Sequence, residues 1–235
     1  MNVVSIMAHQ DDEMRCLGTM LKCQQRGDRL AFITLTDGSN GLLERTRMTR
    51  AEAARIRDEE MAALAEAVDA RYINLGEHDE FLDDTEAVRM ALIQTIRATE
   101  AELIFTHHHE DYNLDHETTH RLVKQCAMQA CLPMLATDAP PLGDHPAIFC
   151  VEPHGPVVFG ASHFVDISAF EQRKVELLSR HRSQEQAMRQ AVGSGFDRLC
   201  ACPDAYWGQK LGCAYAEAFV PMAGRGAVKA WPVLP

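Results

Sequence analysis

Between residues 2 and 131 the chain alternates four times between a short apolar run and a longer amphipathic segment. The runs at 2–8 (NVVSIMA), 29–38 (RLAFITLTDG), 71–75 (RYINL) and 101–107 (AELIFTH) are rich in β-branched or aromatic residues and bounded by polar ones. That is the pattern of strands buried on both faces. Segments 16–27, 49–68, 83–99 and 114–131 carry apolar residues at helical spacing. The clearest is 49–68, Ala- and Glu-rich without Gly or Pro, where Thr49 and Glu52 have the spacing of a capping box. Repeated strand–helix alternation implies an α/β fold, a Rossmann-like three-layer sandwich with a mostly parallel sheet.

Beyond 131 the pattern loosens. A Pro-rich loop (132–146) precedes two expected strands at 147–152 and 161–167, then a helix over 169–192 with a break near Ser179. A Gly/Cys loop at 193–203, a last helix at 204–219 and a weakly patterned tail at 220–235 complete the reading. No internal repeat divides the chain, so one domain over 1–235 is expected.

Composition removes several function classes. A formal net charge of −11 argues against nonspecific nucleic-acid binding, which rests on Lys and Arg. No apolar run approaches the roughly 18 residues of a membrane span. No basic-then-apolar leader pattern occupies the first fifteen residues, and a cytoplasmic location is the expectation. The eight cysteines are scattered without a CxxC pair and read as small buried hydrophobes.

In open parallel sheets ligands bind outside the carboxyl ends of the strands. All four early strands end in polar clusters: HQDDE (9–13), TDGSNG (36–41), GEHDE (76–80) and THHHEDYNLDH (106–116). A parallel sheet puts these on one rim, so residues far apart in sequence converge on one crevice. His9 and Asp12, at a strand-to-helix turn, offer an imidazole nitrogen and a carboxylate, a donor pair suited to zinc. The third ligand is open among His107, His108, His109, His116 and His120. Three protein ligands leave room for a water that zinc activates, and Asp11 is placed to take its proton as general base. The competing reading of DDE alone is a solvated helix start.

These residues carry a family resemblance. AHQDDE (8–13) resembles the AHPDDE signature of the LmbE/PIG-L zinc-dependent N-acetylglucosaminyl deacetylases, and DYNLDH (111–116) resembles their second metal motif. RDEEMAALAEA (57–67), RHRSQ (180–184) and YAEAF (215–219) resemble further family segments, so the likeness runs over nearly the whole chain. The resemblance implies that His9, Asp12 and His116 bind Zn2+ and that Asp11 is general base and later acid. It implies that Arg57 and Asp79 contact a small N-acetylated substrate, with Asp115 tuning its neighbours. The implied reaction hydrolyses an acetamide on an amino sugar or its conjugate, giving acetate and a free amine. No nucleic acid or membrane partner is expected, and homo-oligomer formation stays open.

Two positions depart from the family pattern. Gln10 stands where the family has Pro, a shaping residue without chemistry. Asn113 stands where the family has a His that steadies the oxyanion. An amide N–H can donate to an oxyanion but carries no positive charge. Either Asn113 serves more weakly, or one of His107–His109 or His154 serves instead, or the substrate has diverged to a non-sugar amide or an intermediate of specialised metabolism. A noncatalytic binding descendant is a further alternative. A dinucleotide-binding redox protein is disfavoured, because acids in the first turn repel pyrophosphate.

Overall fold

The computed structural model describes residues 1–42 and 48–222. Most of the expected tail at 220–235 lies outside the described residues. Seven strands form one sheet in the order β3-β2-β1-β4-β5-β7-β6, with β1 (Asn2–Met7), β2 (Arg29–Thr36), β3 (Arg71–Glu77), β4 (Leu103–Thr106) and β5 (Ala147–Val151) parallel. Strands β6 (His163–Asp166) and β7 (Ala216–Pro221) add an antiparallel edge.

The pleat explains the two cores. Along β1, Val3 and Met7 face one side and Val4 and Ile6 the other, because side chains alternate along a strand. Helices α1 (Leu17–Gln25), α2 (Arg50–Ala67), α5 (Glu171–Leu178) and α7 (Phe196–Leu211) cover the Val3 side. Helices α3 (Glu86–Ala98) and α4 (Leu114–Gln129) cover the Val4 side. The Thr49–Glu52 capping box at the start of α2 is formed. The expected break near Ser179 is present, separating α5 from α6 (Arg182–Val192).

The C-terminal part differs from the sequence expectation. The helix expected at 204–219 is replaced by α7, which starts eight residues earlier, and by strand β7. Residues 193–203 read as a loop because of their glycines and Pro203. In the structure the Glu185 carboxylate accepts the Phe196 N–H at 2.9 Å, capping an early start, and Phe196 is buried. Pro203 is carried inside α7. Gly212, at φ +78°, ends the helix in the left-handed region. The segment AEAF consists of residues compatible with a helix, but burial of Glu217 against Lys174 makes it a strand. Local propensity yields here to a tertiary contact.

Candidate metal centre and its cleft

The sheet order reverses between β1 and β4, and the crevice at such a switch point is where this architecture binds ligands. The segment after β1 and the segment after β4 meet there. Asp11 adopts φ +101°, a left-handed conformation that is strained for a residue with a Cβ. This sharp turn brings His9 and Asp12 together, and the Asp12 carboxylate accepts the His9 backbone N–H at 2.8 Å. His116, in the first turn of α4, approaches from the other side.

The ligand atoms of His9, Asp12 and His116 lie within 4.8 Å of one another. His116 Nδ1 is 3.0 Å from Asp111 Oδ1, and His9 Nε2 is 3.1 Å from Asp79 Oδ1 and 3.4 Å from Asp115 Oδ2. With both rings neutral and their protons on these outer nitrogens, each N–H faces a carboxylate, which only accepts. The inner nitrogens, His9 Nδ1 and His116 Nε2, then face each other as lone pairs at 3.2 Å. Asp12 stands 3.3 Å from the first and 3.5 Å from the second. Three converging donors repel unless a positive charge lies between them. A proton bridges two atoms, whereas a divalent cation satisfies all three, and two imidazoles with one carboxylate suit zinc. The residues present therefore fit a resident metal.

Protonation follows the same logic. Without a metal the site takes up a proton instead: burial opposes a charged His9, but bonds to Asp115, Asp12 and Asp79 outweigh it and raise its pKa well above the usual value, and a metal at Nδ1 would displace that proton. Burial likewise opposes a charged Asp12, yet the imidazoles of His116 and His107 pull its carboxyl well below the carboxylate range. Asp11 is raised, chiefly by burial and partly by Asp12, against the pull of Arg57. A raised carboxyl beside a metal site is the profile of a general base.

The other sequence candidates take definite places. Arg57 is 2% exposed and donates to Asp11 Oδ1 at 2.7 Å and to the Gln10 carbonyl. Asp79 borders the cleft, bonded to His9 and accepting the Asn40 N–H at 2.5 Å. Asp115 accepts the Glu80 and Leu82 N–H groups at 2.7 and 3.1 Å, tying α4 to the loop after β3 while touching His9. Asn113 is the N-cap of α4. Its carbonyl accepts the Asp115 N–H at 2.7 Å, and its NH2 donates to Glu80 at 3.2 Å. Gln10 is fully buried beneath Gly38, where a Cβ would collide with its Oε1.

The histidine run divides. His107 Nε2 accepts the Ala8 N–H at 3.0 Å and its ring stacks on His116, with its pKa lowered to about 4 by burial and by His116. His120 donates to the His107 carbonyl, while His109 is exposed. His181 meets Glu13 Oε1 at 3.1 Å, both buried, and anchors α6 to the turn. Sequence reasoning does not single out Asp111 or Arg15. Asp111 lies inside a recognised motif, yet nothing in the pattern tells a His-orienting Asp from a solvated one.

Above the centre is a cleft of about 320 Å³ bordered by Asp11, Arg57, Tyr112 and His154, with an apolar wall of Met188 and Val192. A larger cavity of about 720 Å³ lies by the amino ends of β1 and β4, near Met1 and Leu103, and carries none of these converging ligands. No helix among the described residues is long and apolar enough to cross a membrane.

Fold and site together define an α/β protein with a His/Asp centre at the sheet's switch point. The chain belongs to the PIG-L family, described as GlcNAc-PI de-N-acetylase, whose model matches residues 4–127, over half of its length. No curated protein sequence matches it significantly. Among solved structures it is similar to N,N'-diacetylchitobiose deacetylase from Pyrococcus horikoshii, at 22% identity and TM-score 0.81, covering 94% of this chain and 83% of that one. It is also similar to a conserved protein of Thermus thermophilus, at 26% identity and TM-score 0.79, covering 100% and 99%. A third similar structure is GalB, the 4-carboxy-2-hydroxymuconate hydratase of Pseudomonas putida, at 21% identity and TM-score 0.81, covering 98% and 100%.

Proposed function

We propose that the chain is a zinc-dependent N-deacetylase that hydrolyses the acetamide of an amino sugar or amino-sugar conjugate. The observation that carries this reading is the facing pair of imidazole lone pairs with Asp12 between them and Asp11 alongside. His9, Asp12 and His116 hold the metal, and Asp111, Asp79 and Asp115 fix which ring nitrogens they present. When bound, zinc polarises the acyl oxygen and brings the pKa of a water towards about 7. Asp11 takes the proton of the attacking water and returns it to the departing amine. Arg57 holds Asp11 in place from a buried position at the cleft floor. Asp79 at the cleft edge is placed for sugar hydroxyls. The cleft volume suits a single sugar-sized group.

The test is acetate release by the zinc-loaded protein from a panel of N-acetylglucosaminides, compared with Asp11→Asn. The variant should keep zinc and lose turnover. Equal turnover would overturn the general-base role.

A second reading keeps the metal chemistry but moves the substrate to a non-sugar amide. It is favoured by Asn113, whose amide is engaged with Glu80, and by the apolar wall of Met188 and Val192. The likeness to a hydratase indicates that the fold does not dictate the bond attacked. Turnover of acetanilide-type amides with none on the sugar panel would favour it.

A further inference from the structure

Asn113 spends its Oδ1 on the α4 cap and one amide N–H on Glu80, which leaves at most one uncharged N–H for an oxyanion and gives a second donor a role. Arg15 and His154 lie 139 residues apart in sequence and meet at the cleft wall. Arg15 Nη2 is 3.1 Å from His154 Nδ1. A guanidinium has donors only, so Nδ1 must be the accepting lone pair. A neutral His154 then carries its one ring proton on Nε2. His154 borders the same cleft as His9, Asp11 and Asp12, which puts its ring in the wall that a bound group would touch. Tyr112 spans the gap, its ring centroid 5.6 Å from His116 and 6.3 Å from His154.

Arg15 is itself pinned. Its Nη1 donates to the Leu199 carbonyl at 3.2 Å. Inside α7 that carbonyl would ordinarily accept from residue 203, but residue 203 is proline and has no N–H. Pro203 thus leaves an acceptor for Arg15, and Arg15 in turn fixes the tautomer of His154. Burial and the neighbouring guanidinium push the His154 pKa down to about 3, which keeps the ring neutral.

We propose that His154 is a catalytic residue whose Nε2–H donates to the oxyanion, and that Arg15 is the positioning residue that fixes this tautomer. The inference rests on the amide-hydrolase reading above. In the step, water oxygen bonds to the carbonyl carbon and its proton passes to Asp11. The C=O π pair moves to oxygen, and the Nε2–H donates a hydrogen bond to the oxyanion that forms. The pair returns as the C–N bond breaks, and Asp11 delivers the proton to the amine.

Zinc-loaded wild type, His154→Ala, His154→Gln and Arg15→Lys would be compared on the turned-over acetamide. Methylphosphonate, a tetrahedral oxyanion mimic, would be titrated in parallel by calorimetry. Loss of one oxyanion donor should lower kcat about 10²–10³-fold in His154→Ala with KM little changed. His154→Gln, which keeps an N–H, should recover part. Methylphosphonate should bind His154→Ala about tenfold more weakly, as expected for one lost bond to a charged group. Nitrogen-15 NMR should show His154 neutral and protonated at Nε2 from about pH 5 to 8, with that tautomer lost in Arg15→Met and regained in Arg15→Lys. Wild-type kcat and phosphonate affinity in His154→Ala, or the loss appearing in Tyr112→Phe instead, would overturn the proposal alone. Wild type that neither turns over an acetamide nor binds methylphosphonate would overturn the hydrolase reading as well.

Discussion

Two of the places where the protein buries ionisable groups make a useful pair. Beside α1, Lys174 lies 2.5 Å from Asp204 and 2.8 Å from Glu217, all three nearly inaccessible. Glu217 also accepts the Gly18 and Thr19 N–H groups at 2.9 and 2.7 Å. That cluster supplies its own cation. At the end of β1, the facing atoms of His9, Asp12 and His116 stand farther apart, at 3.2 to 3.5 Å, and among the described residues no lysine or arginine side chain reaches between them, Arg57 being spent on Asp11. The first cluster is complete as built and staples β7, α1, α5 and α7 together. The second has no cation of its own among the described residues and, on the proposed function, is completed by a metal ion. Two buried clusters of similar composition are therefore told apart by whether their charges are answered from within the chain.

The comparison breaks first at Asp11, to which the proposed function gives a role in chemistry and not in charge balance. Asp11→Asn should cut kcat about 10²–10⁴-fold, the range for a lost general base, with zinc content unchanged in elemental analysis. The self-contained cluster breaks at its cation. Lys174→Met leaves two buried carboxylates facing each other and should destabilise by about 3–5 kcal/mol in urea unfolding, whatever the zinc concentration. Asp111→Asn sharpens the comparison, because it weakens the orientation of His116 without removing a ligand. Zinc affinity by competitive chelation should fall about 10–100-fold.

The smallest effect concerns Asp204, whose carboxyl is pushed up to about 8, chiefly by burial and against the pull of Lys174. Between the ordinary carboxyl pKa, about 4, and that raised value, the folded chain holds a proton that the unfolded chain has released. The stability this brings is full at low pH and is lost as pH rises through about 8. Asp204→Asn mimics the protonated form, so its Tm relative to wild type should climb by several degrees from about pH 6 to 9. A constant difference across that range would mean that Asp204 stays ionised when folded.

The four β/α units were legible because each is local: an apolar run, a polar turn, an amphipathic helix. The rim clusters were legible for the same reason, since parallel topology carries separate strand ends to one edge. Partners that meet across long separations were not. Nothing local pairs Arg15 with His154, which the chain brings to it after β5. Lys174 reads as one polar position of an exposed helix until α7 and β7 enclose it, and that enclosure turns AEAF into a strand. Asn113 was legible as a departure from a family pattern, but its engagement as a helix cap and with Glu80 needed the loop after β3.

The central claim is that the cluster at the end of β1 is completed by a metal. The direct measurement is zinc titration by calorimetry of chelator-treated wild type and His116→Ala, with a thermal scan of each end point. One zinc per chain and a higher Tm in wild type, both lost in His116→Ala while its circular dichroism stays native, is the expected result. Wild type that binds no zinc, or a variant that binds it as tightly, would contradict the account.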